Sequence, residues 1–287
     1  MQVYSFILFV LLMGSAKSER YISGNAFKSI ADHVHDETGS IINPKCVKCG
    51  DIIFLKTDYM QDFFENLLPL IENQFILITH NSDYGAPGNF EKYLDNTKII
   101  KMFSQNPTVV HTKLVPIPIG IANSVWEHGN EEHFNNVLKI LPNYKKRHLV
   151  GLNFEISTYP DTRSKVYNKF VSKSYCKKTY SKNHESYLLN MAECEYTLSP
   201  RGNGLDCHRT WEAMIVGSIP IVETSPLDSV YEDMPVLIIN RWEDVTLKML
   251  HEKKDALSSK KNSPKIYFDY WAKLILSEKN KALNLFN

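Results

Sequence analysis

The chain has 287 residues, of which 43% are hydrophobic and 23% are charged, as in ordinary globular proteins. Its 33 Lys and Arg residues against 32 Asp and Glu residues give a formal net charge of +1, which argues against a general nucleic-acid or membrane-surface binder. This length suits one large domain or two domains of ~130 residues, and either arrangement can bury a core.

Residues 1–18 differ in composition from the rest of the chain. Val3 to Met13 is an almost unbroken apolar run, and mostly small residues follow it up to Ser18. This pattern predicts a secretory signal peptide that is cleaved after Ser18, with the protein in the endoplasmic reticulum or Golgi lumen or secreted. The run is shorter than the ~20 apolar residues that a membrane span needs. Because no Lys or Arg precedes it, an uncleaved membrane anchor stays open as the alternative.

The five cysteines are consistent with an oxidising compartment. Cys46 and Cys49 form a C-x-x-C, but no second pair has that spacing, so a zinc site is not expected. A strand beginning at Asp51 follows at once, which does not fit a thioredoxin-like redox motif. The cysteines therefore predict one or two structural disulfides, with one thiol left over.

The first half of the chain alternates short apolar runs with segments of helical spacing. In chain order we expect a short helix near 26–35, a strand at 51–55, an amphipathic helix at 60–71, a strand at 74–79, helical pieces at 90–94 and 98–104, an edge strand or extended segment at 114–119 and a helix at 131–141. Two strands with a helix between them imply a parallel pair, and ligands gather at the carboxyl ends of such strands.

Polar side chains follow the first two of these strands. His80 and Asp83 come after the second strand, and Asp58 comes after the first. Each could be the general base that deprotonates a substrate hydroxyl. The alternative is structural, with His80 capping loop backbone groups and Asp83 forming an Asx turn. Trp126, in a loop further on, is either a platform on which a sugar stacks or a packing plug between domains.

A polar and basic stretch at 142–147 divides the chain. We place a domain boundary there, with one α/β domain at 19–145 and a second at 146–287. The second part is expected to contain a strand at 149–154, helices at 163–170 and 186–194, a late strand at 237–240 and closing helices at 245–259 and 266–277. Strands and helices alternating on both sides of the boundary predict an α/β fold with two Rossmann-like halves facing a cleft.

The stretch EYTLSPRGNGLDCHRTWEAMIVGSIPIV, residues 195–222, predicts a strand, a glycine loop, a helix and a second strand. Asn203 or Asp206 is expected to cap the helix, and Gly217 is expected to end it in a left-handed conformation. The loop would join the carboxyl end of a strand to a helix N-terminus. Unpaired N–H groups and the helix dipole at such a place favour an anion.

Charged side chains add to this interpretation. Arg201 lies in the loop, and Asp206, Arg209 and Glu212 have helical spacing, so they share one face. The Arg side chains could clamp a phosphate while the carboxylates hold sugar hydroxyls. The alternative is a solvated charged face with ion pairs between neighbouring turns.

The segment SPRGNGLDCHRTWEAMIVGSIPIV closely resembles the nucleotide-sugar-binding segment of exostosin-type glycosyltransferases, whose pattern is approximately C/S-P-R-G-x-G-x-D-x-x-R-x-W-E-A-x-x-x-G-x-I-P-V-V. The resemblance continues through 226–242, and the segments at 56–88 and 117–126 look like the acceptor-side half of small family members. It implies the GT-B arrangement of two Rossmann-like halves around an interdomain cleft. It also implies an inverting enzyme that transfers a sugar from a nucleotide diphosphate sugar to a hydroxyl of a glycan or glycoprotein.

The resemblance further implies which residues bind the donor. These are Arg163, Ser199, Arg201, Gly202, Gly204, Asp206, Arg209 and Glu212. Glu212 would bind the ribose hydroxyls, and Asp206 would orient Arg209 or the donor. Loop N–H groups and Arg side chains would stabilise the leaving diphosphate, so we expect no metal ion and no cofactor besides the donor. For Arg163 the alternative is a helix-start Arg that faces solvent, and Trp126 is the candidate acceptor-binding residue.

Two other classes of protein stay open. A secreted carbohydrate-binding or scaffold protein with a catalytically decayed transferase fold would bind glycans without binding nucleotides. The joint presence of Arg201, Asp206, Arg209 and Glu212 argues against such decay. A Rossmann-type oxidoreductase is disfavoured because G-x-G-L-D-C lacks the third glycine and the ribose-binding acid ~20 residues further on. Nucleic acid is not an expected partner.

Overall fold

The computed structural model describes residues 20–39 and 42–285, and the predicted signal peptide lies outside them. Two five-stranded sheets, parallel throughout, form its framework. The strands are β1 His33–His35, β2 Asp51–Lys56, β3 Phe75–His80, β4 Ile99–Ser104 and β5 Leu114–Pro116 in the first sheet, and β6 His148–Leu152, β7 Cys176–Lys178, β8 Cys194–Leu198, β9 Ile219–Glu223 and β10 Leu237–Ile239 in the second. The predicted α/β fold with two Rossmann-like halves is confirmed.

Helices connect these strands. They are α1 Gly24–Ser29, α2 Met60–Asp62, α3 Glu131–Ile140, α4 Pro160–Phe170, α5 His184–Ala192, α6 His208–Ile215, α7 Leu247–Ser258 and α8 Phe268–Leu285. Helix α2 continues as a π turn, Phe63–Leu67, and a 3-10 turn, Leu68–Leu70, so the predicted amphipathic helix there is present but irregular. A further 3-10 segment spans Gly88–Asp95, close to the predicted helical piece.

The strands of the first sheet lie in the order β1-β2-β3-β4-β5. Every residue of β3 is buried, as expected for a parallel strand that is covered on both faces. The helical piece predicted at 98–104 is wrong, because this segment is β4 and pairs Met102 with Leu77. Its apolar residues Ile99, Met102 and Phe103 also fit helical spacing, and a run this short does not distinguish the two structures. Strand β5 is an edge strand, as Pro116 predicts.

The second sheet has the order β10-β9-β8-β6-β7, so the chain leaves β6 on one side and returns on the other. The strand–loop–helix–strand unit predicted at 195–222 is β8, α6 and β9. Gly217 follows α6 with φ +77°, as predicted for a left-handed residue at a helix end. The predicted caps are wrong, because the N-cap of α6 is Cys207 and no side chain caps this helix within the described ranges.

The two halves share a core, because α8 returns to the first half. The Phe268 ring meets the Phe27 ring edge-on at 5.3 Å between centroids. Lys279 of α8 forms an ion pair with Asp32, and Trp271 lies in the same buried cluster as Phe27. The end of the chain therefore holds the halves together on the side of α1.

The predicted disulfides are absent, since all five cysteines are free thiols. Cys194 is buried and donates its thiol to the Asn190 carbonyl, whereas Cys46 is exposed. Burial raises the pKa of Cys194 to about 12, which keeps this thiol protonated. Across residues 20–39 and 42–285, no helix combines the length and the apolarity that a membrane crossing requires.

Candidate functional site

A cleft lies at the carboxyl ends of β6 and β8, where the strand order of the second sheet reverses. Its volume is about 670 Å³, and it is lined by the loops after both strands, by the start of α6, by α5 and by residues of the first half, namely Asp83, Ile119, Glu127 and His128. In open parallel sheets such a reversal leaves a crevice between diverging loops, which is where ligands bind. We call this the donor cleft, after the residues predicted to bind a donor that line it.

The glycine loop after β8 packs tightly against the first half. A Cβ on Gly204 would lie 2.5 Å from Nδ2 of Asn106, which follows β4. The Asn106 side-chain oxygen accepts the N–H groups of Leu205 and Asp206 at 2.9 and 3.1 Å. The backbone N–H groups of residues 205 and 206 are therefore hydrogen-bonded within the protein. The structure gives Gly204 a packing role between the halves, whereas the sequence predicted that it binds the donor. Gly202 lines the cleft.

Asp206 is a structural anchor. Its Oδ2 accepts the Ile119 N–H and the Trp211 indole N–H, both at 2.8 Å. Its Oδ1 accepts the Cys207 N–H and the Tyr231 hydroxyl, both at 2.9 Å. The predicted roles for Asp206, orienting Arg209 or the donor, are not what these contacts show, because the buried carboxylate joins the start of α6 to the first half.

Arg163 is buried and held by the loops around it, so the alternative of a solvent-facing Arg is wrong. Its Nη1 donates to the Glu155 carbonyl at 2.7 Å and its Nε to the Arg201 carbonyl at 2.9 Å. Burial lowers the pKa of Arg163, and the positive charge of Arg209 adds to this. Arg163 lines the cleft and at the same time fixes the shape of the loops after β6 and β8.

Arg201 and Ser199 lie away from the cleft lining. The Arg201 guanidinium donates to the carbonyls of Gly202 and Asn203 in its own loop and lies over the Tyr159 ring at 4.6 Å. Ser199 is buried, and its hydroxyl pairs with that of Thr210 at 2.9 Å. The predicted donor contacts of these two residues therefore have no counterpart in this geometry.

Arg209 lines the cleft together with two other cations, Arg163 and Lys182. Its Nε donates to the Asn153 carbonyl at 3.1 Å, and its guanidinium lies over the Phe154 ring at 5.4 Å. Its Nη1 is buried without a hydrogen-bond partner among the described residues. An unpaired buried donor is costly, so an anion that accepted this N–H would be bound favourably.

Glu212, one turn further along α6, is also in the cleft wall. The His184 Nε2 lies 3.4 Å from its Oε1. Burial alone would raise the pKa of Glu212, but the His184 hydrogen bond and the nearby charges of His208, His184 and Arg209 lower it overall. Glu212 is therefore an ionised acceptor inside a buried wall, suited to hydroxyl groups.

Histidines from three segments surround this carboxylate. The His128 ring lies 6.4 Å from that of His184 and 6.2 Å from that of His208, between centroids. Burial and the charge of His208 lower the pKa of His128. None of the described residues forms a group of three or more His, Cys, Asp or Glu side chains arranged to hold a metal ion.

A second cleft of about 560 Å³ adjoins the donor cleft on the side of the first sheet, and we call it the acceptor-side cleft. His80, Asp83 and Trp126 line it, and Trp126 is 61% exposed. Asp58 and Asp83 line a small recess beside it. The structure therefore brings the three candidate bases and the candidate platform to one region.

His80 is poorly suited to be a base. It is 1% exposed, and burial lowers its pKa to about 4. Its Nε2 faces the Pro118 carbonyl at 3.1 Å, and its Nδ1 accepts the Asn81 N–H at 2.8 Å. Because both ring nitrogens are engaged, His80 acts as a structural residue, which was the alternative to its catalytic role.

Sequence reasoning did not single out several residues of the donor cleft, namely His128, Lys182, His184, Tyr187 and His208, or Asn106, which binds the glycine loop. Most come from loops and helix starts that meet only in the folded chain. His208 alone had a sequence signal, because it stands beside Arg209 within the glycine-loop motif.

Two parallel sheets, with a cleft at the strand reversal of the second, form an α/β fold with two Rossmann-like halves. Residues 161–284 match the family model described as the RXYLT1 C-terminal domain, so the second half of the chain is similar to that domain. The match confirms the predicted exostosin-like resemblance over this half. No curated protein matches the chain.

Solved structures are similar at low identity. A glycosyltransferase from Rickettsia africae ESF-5 is 10% identical, with 81% of this chain and 77% of that chain covered and a TM-score of 0.41. Anabaena Alr3699/HepE in complex with UDP-glucose is 9% identical, with 82% and 78% covered and a TM-score of 0.36. Because both TM-scores are low, the function proposed below rests on the site and the family match.

Proposed function

We propose that the protein is an inverting glycosyltransferase that transfers a sugar from a nucleotide diphosphate sugar to a hydroxyl of a glycan or glycoprotein in the secretory pathway. One observation carries the proposal. At the strand reversal of the second sheet, the buried Nη1 of Arg209 lacks a partner among the described residues, one helical turn from the ionised Glu212. A diphosphate linked to a ribose presents an anion and hydroxyl groups at about this separation.

The chemistry assigned to each group follows from its charge. Arg209 stabilises the negative charge that develops on the leaving diphosphate. Glu212 accepts hydrogen bonds from ribose hydroxyls. Because fixed positive charge can replace a metal ion here, the transfer should proceed without an obligatory cation, and it should persist in the presence of a chelator.

The acceptor enters from the first half. The acceptor-side cleft adjoins the donor cleft, and exposed Trp126 at its edge offers a flat apolar face to a sugar ring. The secretory location is supported by the apolar segment within residues 1–18 of the sequence.

The first test is nucleotide binding, measured by thermal shift with a series of nucleoside diphosphates. A ligand at 100 times its Kd stabilises the folded state by about 2.7 kcal/mol, so the melting temperature should rise by several degrees. Arg209→Ala should lose this shift. Arg241→Ala, at a side chain 71% exposed, is the matched control and should retain it.

Two results would contradict the proposal. One is a wild-type protein that no nucleoside diphosphate stabilises, and the other is an Arg209→Ala variant with the full shift. Turnover is then measured with a panel of nucleotide sugars by detecting the released nucleoside diphosphate. The nucleotide sugar that is consumed identifies the donor. A protein that bound glycans but no nucleotide would instead fit the decayed carbohydrate-binding alternative.

A further inference from the structure

Three residues line both the donor cleft and the acceptor-side cleft: Asp83, Ile119 and His208. A sugar transferred from a donor in one cleft to an acceptor in the other must pass the place where the two clefts meet. Ile119 has no titratable group, so of these three described residues Asp83 and His208 can receive a proton there. We propose that His208 is the general base that takes the proton of the acceptor hydroxyl, an inference that rests on the glycosyltransferase function proposed above.

The His208 ring is held in one orientation and one tautomer. Its Nδ1 lies 2.8 Å from the Gly120 carbonyl oxygen, which only an N–H can contact favourably, so the proton sits on Nδ1. Gly120 is itself fixed, since it has φ +70° and a Cβ there would lie 2.1 Å from the Ile22 carbonyl oxygen. This hydrogen bond leaves the lone pair of Nε2 as the free basic site of the ring.

Asp83 is the competitor, and its setting differs. It is exposed, and its Oδ2 accepts a hydrogen bond from the Asn203 side chain at 3.1 Å. His208 is half-buried at the first residue of α6, directly beside Arg209. An imidazole is a stronger base than a carboxylate, which favours transfer of the acceptor's proton to His208.

The charged and titratable groups around His208 come from every neighbouring element. They are Arg209 and Glu212 on its own helix, Asp206 and Cys207 from the loop before it, Glu127 and His128 from the segment before α3, His184 from α5, and His80 and Asp83 from the first half. Glu212 and Arg209 thus bring one negative and one positive charge to the helix that carries His208.

The step balances as a single displacement. The acceptor oxygen forms a bond to the anomeric carbon while its proton passes to Nε2 of His208. The bond from the anomeric carbon to the diphosphate oxygen breaks, and its electron pair leaves with the nucleoside diphosphate. Arg209 is placed to stabilise that leaving charge. His208 then releases its proton to solvent.

His208→Asn is the most direct test. The amide nitrogen of Asn can replace Nδ1 in donating to the Gly120 carbonyl, whereas nothing in Asn replaces the basic Nε2. We expect kcat to fall by about 10²- to 10⁴-fold, with the Kd for nucleoside diphosphate within about twofold of wild type. The fall of kcat/KM towards low pH should disappear in the variant. His251→Gln, exposed on α7, is the control for replacing a histidine.

Other outcomes separate this inference from the proposed function. An activity of His208→Asn within about fivefold of wild type, with a large loss in Asp83→Asn, would overturn it in favour of Asp83. If wild-type protein binds nucleotide but turns over no donor, the base assignment fails and the donor site stands. If nucleotide binding itself is missing, the proposed function fails. Should His208→Asn not fold, His208→Ala with added imidazole replaces it, and absence of rescue would count against the base.

Discussion

The two sheets of this protein are built from the same number of parallel strands but differ in strand order. The first runs β1-β2-β3-β4-β5 without a reversal, whereas the second reverses between β6 and β8. Only the reversal makes neighbouring loops diverge at the carboxyl edge and leave a crevice. The difference explains why the donor cleft opens on the second sheet, although both sheets end in polar residues.

The polar residues at the two edges have different fates. In the first half, His80 has both ring nitrogens engaged and Asn106 binds loop amides of the opposite half. In the second half, Arg209 keeps a buried N–H without a partner among the described residues. The first sheet therefore supplies structural support to the opposite half, and the second supplies the groups that a charged ligand can use.

Replacing Asp206 by Asn should have the largest effect on stability. The amide nitrogen would face either two N–H donors or the Cys207 N–H and the Tyr231 hydroxyl, and of these only the hydroxyl can accept. We expect the free energy of unfolding to fall by about 2–4 kcal/mol. Urea denaturation measures it. Asp58→Asn, at an exposed position, should stay within about 0.5 kcal/mol, and equal effects would show that Asp206 does not join the halves.

Replacing Glu212 by Gln tests whether the ligand binds at the carboxyl edge of the second sheet. The variant keeps the volume but loses the charge that strengthens hydrogen bonds from ribose hydroxyls. The Kd for nucleoside diphosphate should rise by about 10- to 100-fold, the equivalent of a charged hydrogen bond. Isothermal calorimetry gives the value, with exposed Glu252→Gln as the control. An unchanged Kd would show that the ribose does not contact Glu212.

Acid sensitivity tests the structural role of His80 in the first half. Its folded-state pKa of about 4 lies below the ordinary value of 6.5. Between these values the unfolded chain binds a proton that the folded chain does not, so stability falls as the pH falls. From pH 7 to pH 5 the loss from this residue is about 2 kcal/mol. Urea midpoints at both pH values should show a smaller loss in His80→Gln than in wild type, and equal losses would contradict a buried neutral His80.

The sequence predicted the second half better than the first. The unit at 195–222 combines a β-strand, a glycine loop and a helix ended by Gly217, and these elements agree with the structure, whereas the predicted N-cap does not. Strand β4 was mistaken for a helix because Ile99, Met102 and Phe103 fit both periods. Arg209 and Glu212 could be found because they share one helix face. The partners of Asp206 could not be found in this way. Asn106 accepts its N–H from 100 residues away and Tyr231 donates to its carboxylate from 25 residues away, so no local pattern reveals them.

The smallest expected effect concerns Arg201, which the glycine-loop motif predicts as a donor contact. In the structure its guanidinium binds carbonyls of its own loop and lies over Tyr159, outside the lining of the donor cleft. Arg201→Ala should therefore change the Kd for nucleoside diphosphate by less than about threefold, because it removes only a surface contact worth below about 1 kcal/mol. A loss of nucleotide affinity as large as that of Arg209→Ala would contradict this. It would show that the glycine loop turns into the donor cleft when a nucleotide binds, so that the carboxyl edge of the second sheet rearranges.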